Sequence, residues 1–163
     1  IPYIEGLLKN RYVGRTFIMP GQSKRENAVR MKLNPVRSHI KDKSVVLVDD
    51  SIVRGTTSLH IVDMVKEFGA KEIHMRIGST PIIAPCYFGV DLPTREELIA
   101  TNRSVEEIRE TIHATTLEYI SAEELVESVG IPAEDLCIAC SCGEYPVDIP
   151  CEKCLKRKIT LLD

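Results

Sequence analysis

At 163 residues, 44% of them hydrophobic and 28% charged, the chain has the size and composition of one globular α/β core and little more. A net charge of −3 argues against general nucleic-acid binding, and no apolar run reaches the roughly 20 residues that a membrane-spanning helix needs. The start does not read as a signal peptide, so a cytoplasmic protein is expected.

In chain order, residues 1–8 predict a short strand with its turn. Ile1-Pro2-Tyr3-Ile4 reads as the middle of a strand rather than as a beginning. A strand of a parallel sheet needs neighbours to cover it, so the chain is expected to be the carboxyl-terminal portion of something longer. Residues 9–32 carry Gly14, Pro20 and Gly21, many cations and no clean period. A stretch that long is expected to be a functional lid, or else a solvated basic surface loop. Within it, Ser23-Lys24-Arg25-Glu26 resembles a capping box and predicts the start of a short helix over 27–32. Between Lys9 and Lys43 only Glu26 and Asp42 oppose the basic residues, a local charge that suits a small polyanionic ligand. Leu33-Asn34-Pro35-Val36 breaks the pattern, and a short strand or turn is expected after it.

The run Val45-Val46-Leu47-Val48 predicts a strand buried on both faces of a parallel sheet. Beyond it, Leu59, Ile61, Val62, Met64, Val65 and Phe68 mark one face of a helix that Gly69 ends. Residues 71–77 alternate and predict the next parallel strand, completing a βαβ unit. A capped helix is expected over 94–100, starting near Pro93, and a second one from the capping box Ser104-Val105-Glu106-Glu107. A short strand over 117–120 and a last helix from Ser121 to Gly130 follow.

The chemistry concentrates where the first predicted parallel strand ends. Asp49 and Asp50 stand at its carboxyl end, where open α/β sheets bind ligands. Ser51, Thr56, Thr57 and Ser58 then supply hydroxyls, with Gly55 just before a helix N-terminus. Orphan N–H groups and the helix dipole make such a loop a phosphate cradle. It is neither a Walker loop nor a dinucleotide fingerprint, since Gly-Lys-Ser/Thr and Gly-x-Gly-x-x-Gly are both absent. Adjacent carboxylates can chelate Mg²⁺ or accept hydrogen bonds from ribose hydroxyls, provided the chain turns to bring both to one side. Taken alone, the pair reads as a solvated strand end and a helix cap. Joined to the loop, it points to a ribose phosphate.

Six cysteines fall at positions 86, 137, 140, 142, 151 and 154. With nothing to suggest secretion, a metal or cluster site is expected before a disulfide framework. The spacing Cys137-x₂-Cys140-x₁₀-Cys151-x₂-Cys154 fits a zinc ribbon, which would make residues 137–154 an interaction module. Cys86 by itself reads as a buried small hydrophobe. His39, His60, His74 and His113 are scattered and read as surface or packing residues.

Residues 45–57, Val-Val-Leu-Val-Asp-Asp-Ser-Ile-Val-Arg-Gly-Thr-Thr, resemble the phosphoribosyl-pyrophosphate motif of type I phosphoribosyltransferases. Residues 51–57 are similar to one branch, the glutamine phosphoribosylpyrophosphate amidotransferases (amidophosphoribosyltransferases). Lys9-Asn10-Arg11-Tyr12-Val13-Gly14-Arg15-Thr16-Phe17-Ile18 is similar to the flexible catalytic loop of that family, and residues 85–91 and 96–100 match as well. The resemblance spans roughly residues 1–146.

It implies an α/β fold of type I phosphoribosyltransferase kind. A central parallel sheet would be flanked by helices, with a flexible basic lid and a carboxyl-terminal Cys-rich segment. The phosphoribosyltransferase domain would cover 1–115, lacking its amino-terminal part, and a helical, Cys-rich segment 116–163 would pack on it. The implied reaction joins ammonia, released from glutamine, to phosphoribosyl pyrophosphate. It yields 5-phosphoribosylamine and pyrophosphate, the first committed step of de novo purine biosynthesis. Asp49 and Asp50 would hold the ribose 2- and 3-hydroxyls and Mg²⁺. Ser51, Arg54, Gly55, Thr56 and Thr57 would bind the 5-phosphate, and Lys9, Arg11 and Arg15 would close over the pyrophosphate.

In the iron–sulfur branch of the family, Cys86, Cys137 and Cys140 match three ligands of a [4Fe-4S] cluster whose fourth lies upstream. Purine nucleotides as feedback inhibitors and a homo-oligomer are also implied, with neither nucleic acid nor membrane as partner. The glutaminase domain and the upstream pyrophosphate-binding turn are absent, so this chain alone is expected to be incomplete. The alternative is a non-catalytic sensor of phosphoribosyl pyrophosphate on the same fold, which would not need Lys9, Arg11 and Arg15.

Overall fold

The structure is a computed structural model that describes residues 1–10, 33–90, 92 and 94–149. Its centre is a three-stranded parallel sheet in the order β3-β4-β5, with β3 Ser44–Asp49, β4 Glu72–Ile77 and β5 Thr116–Tyr119. The crossover from β3 to β4 is the helix α2, Thr56–Glu67, and the crossover from β4 to β5 includes α3, Val105–Thr111. The expected βαβ unit is therefore present. Phe68 caps α2 and Gly69 follows with φ 95°, a left-handed turn that only glycine adopts freely.

Strand register decides which side of the sheet is core. Leu47, Met75 and Leu117 lie side by side, and one step on so do Asp49, Ile77 and Tyr119. This face packs against Val62 and Val65 of α2 and Ile108 and Ile112 beside α3, all fully buried. The alternate positions form the opposite face, where Val46 remains 40% and Val48 78% exposed. The expectation of a first strand buried on both faces is corrected here. Among the described residues β3 is an edge strand with helices on one side only. The opposite face is otherwise polar. His74 bridges Ser44 at 3.0 Å and Thr116 at 2.9 Å, and Arg76 reaches Thr116 at 3.0 Å and Glu118 at 3.3 Å.

The amino-terminal strand is shorter than the expected 1–8 and lies outside the central sheet. β1, Leu7–Lys9, pairs antiparallel with β2, Leu33–Pro35, with Lys9 opposite Leu33. Ile1 and Tyr3 are almost fully exposed, having no neighbouring strand to bury them. Lys9 is thus a strand residue, whereas Arg11 and Arg15 of the expected lid, and the helix expected over 27–32, lie outside the described residues. The one-turn helix α1, Arg37–Ile40, follows β2 and places Ile40 in the core.

The helix expected over 94–100 is instead a single 3-10 turn, Arg95–Glu97. Three consecutive residues after it, Leu98, Ile99 and Ala100, are buried to 3%, 3% and 7% exposure. A helix would turn one of them outward; instead Leu98 is extended and a turn follows, closed by the Thr101 N–H on the Leu98 carbonyl at 3.4 Å. The capping box expected at Ser104 is present, with Glu107 at α3; the one expected at Ser23 lies outside the described residues. A second box, not expected, joins Ser121 to Glu124 at the start of α4, Ala122–Val129. β5 falls on the 116–163 side of the expected domain division and is hydrogen-bonded into the same sheet. A short helix α5, Ala139–Cys142, carries Cys140 and Cys142. Among the described residues no helix is long and apolar enough to cross a membrane.

The phenol of Tyr119 is buried with no hydrogen-bond partner among the described residues. Burial pushes its pKa up to about 12, because a phenolate loses its hydration there. Tyr119→Phe is expected to gain about 1 kcal/mol of stability in a denaturant titration, by removing a desolvated donor. A clear loss of stability would mean that the hydroxyl has a partner after all.

Candidate functional site

The carboxyl ends of β3 and β4 carry the site. Asp49 is the last residue of β3 and its backbone carbonyl accepts the Gly78 N–H at 2.9 Å. Its side chain lies on the core-facing side of the sheet and accepts the Asp50 N–H at 3.0 Å. Asp50 is exposed, and its carboxylate accepts the Ser51 hydroxyl at 3.0 Å. The strand ends between the two acids, the turn that a shared ligand requires. Burial raises the Asp49 pKa above the ordinary 3.8; the Asp50 N–H bond lowers it part of the way, and the Asp50 charge adds to the rise. Asp49 is therefore a carboxylate short of compensation, and a cation or hydroxyl donors would supply it.

The loop that follows is held from behind. Ile52 is fully buried and anchors it in the core. The Val53 carbonyl accepts the Ile99 N–H at 2.9 Å, and Arg54 Nε donates to Glu97 Oε1 at 3.2 Å. Gly55 takes φ 78°, and a Cβ at that position would stand 2.4 Å from Ile99 Cδ1. Conformation and space both demand glycine there.

Gly55 is also the N-cap of α2, so no side chain caps that helix, and no acid stands in its first turn. α3 and α4 satisfy their own N-termini with Ser/Glu boxes and first-turn acids. The N–H groups and partial positive charge of α2 stay available next to the exposed hydroxyls of Thr56 and Thr57. Such an end binds an anion.

The structure thus places Asp49, Asp50, Ser51, Arg54, Gly55, Thr56 and Thr57 on one strand–loop–helix junction. Lys9 stands exposed in β1, with no bond to that junction among the described residues. Glu97 and Ile99, which back the loop, were not singled out by their sequence. The signal was present: Leu98-Ile99-Ala100 after two acids is an unbroken apolar run, not the spaced pattern of an exposed helix.

The segment after β4 is stitched to α5. The Ile83 and Ala84 N–H groups donate to the Cys140 carbonyl at 2.9 and 3.0 Å, and Thr80 donates to the Ser141 hydroxyl. Tyr145 donates to the Pro85 carbonyl at 2.7 Å and its ring lies 5.1 Å from that of Tyr87. Half-buried Cys86 and Cys140 therefore sit on adjoining segments, while Cys137 is exposed; all three are free thiols. The Cys142 thiol accepts the Glu144 N–H at 3.4 Å and points to the Ile138 carbonyl at 3.5 Å. Among the described residues no three His, Cys, Asp or Glu side chains converge to hold a metal ion. Cys151 and Cys154 lie outside the described residues.

A concavity of about 490 Å³ beside Lys66, Arg109, His113 and Thr115 lies at the opposite, amino-terminal end of the strands. Its guanidinium is already occupied by Glu106 at 2.8 Å, Glu110 at 3.3 Å and the Ala114 carbonyl at 2.9 Å. Charge compensation of that kind leaves nothing for a phosphate.

No protein-family model matches the chain. It is 57% identical over 158 residues to the amidophosphoribosyltransferase of Methanocaldococcus jannaschii, an alignment that covers 97% of this chain and 33% of that protein. The amidophosphoribosyltransferase of Bacillus subtilis is 55% identical over 153 residues, covering 91% of this chain and 32% of the relative. Among solved structures, glutamine phosphoribosylpyrophosphate amidotransferase from B. subtilis, complexed with ADP and GMP, superposes with a TM-score of 0.80 at 54% identity. That superposition covers 93% of this chain and 34% of the other. The chain spans about a third of the length of the curated relatives it matches.

Proposed function

Since the chain belongs to the amidophosphoribosyltransferase family over the third of the relatives' length that it spans, we infer that it performs the phosphoribosyl-transfer half of that reaction. Phosphoribosyl pyrophosphate and ammonia give 5-phosphoribosylamine and pyrophosphate. The observation that carries this reading is the uncapped N-terminus of α2, set behind the unevenly buried pair Asp49 and Asp50.

In this reading the N–H groups opening α2, with Ser51, Arg54, Thr56 and Thr57, hold the 5-phosphate around Gly55. Asp49 and Asp50 accept hydrogen bonds from the ribose 2- and 3-hydroxyls. The same pair would hold Mg²⁺, and two carboxylates suit an ion that takes the rest of its shell from substrate phosphates and water. When bound, that ion supplies positive charge to the leaving pyrophosphate. In the same proposal Lys9, Arg11 and Arg15 would close over the pyrophosphate and add positive charge to it. The ammonia lone pair attacks the anomeric carbon as the bond to pyrophosphate breaks, and the new amine loses a proton to solvent. Negative charge grows on the pyrophosphate in that step, so cations placed there lower the barrier. Glutamine would be hydrolysed elsewhere, in a glutaminase domain that delivers the ammonia. Purine nucleotides as feedback inhibitors, a homo-oligomer and a cytoplasmic location belong to the same proposal.

Pyrophosphate release from phosphoribosyl pyrophosphate on addition of ammonia is expected of the full-length protein. A sensor of the same fold would bind phosphoribosyl pyrophosphate tightly and release none.

A [4Fe-4S] cluster on Cys86, Cys137, Cys140 and a fourth thiolate is a separate part of the proposal. Its support is the stitching of the Cys86 segment to α5; the described thiols do not by themselves form a converged set. No step of the transfer depends on it. Anaerobically purified protein is expected to contain about four irons per chain. Stoichiometric zinc without iron would instead favour the ribbon formed by Cys137, Cys140, Cys151 and Cys154.

A further inference from the structure

Arg54 stands one residue before Gly55, at the mouth of the cradle, yet its charge is not free to wander. Glu97 takes it by Nε at 3.2 Å. Both side chains are about half exposed, at 43% and 50%. The contact uses one edge of the guanidinium only. Among the described residues no hydrogen bond engages its two terminal Nη groups, which leaves four N–H donors for an anion.

The backbone beside Glu97 is fixed as well. The Ile99 N–H holds the Val53 carbonyl at 2.9 Å, and Thr101 Oγ and Arg95 Nη1 hold the Ile83 carbonyl at 3.2 and 3.3 Å. The residues on either side of Glu97 are therefore tied to the phosphate loop and to the segment after β4.

We propose that Glu97 is a positioning residue for phosphate binding: it pins Arg54 by Nε so that the Nη pair is presented to the 5-phosphate. The inference rests on the phosphate reading of the loop. Glu97 touches no substrate in this scheme and acts through Arg54 alone.

The sign of one substitution separates this role from plain electrostatics. An acid near an anion site repels the anion, so deleting it should tighten binding unless it does something else. Pinning predicts the reverse, because a freed arginine must surrender rotamer entropy on each binding event. In the full-length protein, Glu97→Ala is expected to weaken phosphoribosyl-pyrophosphate binding roughly tenfold by calorimetry. KM should rise with kcat nearly unchanged. The near-isosteric Glu97→Gln should fall between, and Glu97→Asp should restore part of the loss. Because the pair is exposed, the thermal midpoint should barely move. In an Arg54→Ala background, Glu97→Ala should add nothing.

Equal or tighter binding by Glu97→Ala and Glu97→Gln overturns the proposal. So does a further loss on top of Arg54→Ala, since Glu97 would then act by another route. If the unsubstituted protein bound no phosphoribosyl pyrophosphate, the phosphate reading itself would fall and the positioning role with it.

Discussion

Gly55→Ala is expected to lower stability by about 3 kcal/mol and to abolish phosphoribosyl-pyrophosphate binding. Two independent costs meet at this residue. The left-handed φ of 78° costs an L-residue about 1–2 kcal/mol. A Cβ 2.4 Å from Ile99 Cδ1 forces a repacking worth about 1–3 kcal/mol. Cδ1 is the far end of the Ile99 side chain, so what resists its moving aside is the packing of that side chain in the core, where Ile99 is 3% exposed. The cheaper escape is for the loop to move, which pulls the first turn of α2 away from the phosphate. Ile99→Val removes the offending methyl at a cost of about 1 kcal/mol on its own. The double substitution should accordingly be more stable than the two single effects summed, while binding stays impaired. A Gly55→Ala protein with unchanged melting and unchanged affinity would mean that the loop does not adopt this conformation.

Asp49→Asn and Asp50→Asn are expected to weaken phosphoribosyl-pyrophosphate binding by about a hundredfold each, on the scale of lost charge-assisted hydrogen bonds and metal ligation. Their effects on the fold should differ. Asp50 is exposed, and its substitution should leave the melting curve where it was. Asp49 is partly buried and its pKa lies above 3.8 in the folded protein. The folded state then binds the proton more readily than the unfolded one. The Asp49 contribution to stability therefore falls as pH rises from the unfolded value through the folded one, and at neutral pH the ionised group costs stability. Asp49→Asn should be neutral to mildly stabilising at pH 7 and should flatten that part of the stability profile. A purely structural aspartate would behave in the opposite way, losing stability while binding stayed intact.

These contrasts follow from where the chain was legible and where it was not. The βαβ unit was readable because its signals are local. The helical spacing of Val62 and Val65, the alternation of Ile73, Met75 and Ile77 and the Ser104/Glu107 box each stand within one element. The phosphate loop was readable for the same reason, since acids, hydroxyls and Gly55 occupy one unbroken stretch. What escaped was set by long-range packing. The open face at Val46 and Val48 depends on which elements flank β3, and no property of the four residues reveals it. The non-helical course of 98–100 is set by Val53 and Gly55, more than forty positions earlier, which hold the Ile99 N–H and face its side chain. The antiparallel pairing of Leu7–Lys9 with Leu33–Pro35 is likewise non-local. Glu97 illustrates the consequence for function: its partner Arg54 lies in another element, so only the fold brings the two together.

The most direct test is a calorimetric titration of the full-length protein with phosphoribosyl pyrophosphate in the presence of Mg²⁺, run beside the Asp49→Asn/Asp50→Asn protein. Saturable binding by the unsubstituted protein, lost in the double variant while its melting curve stays intact, is the predicted result. Equal affinity in both proteins would contradict the assignment, and would make the acid pair a structural feature of the strand end.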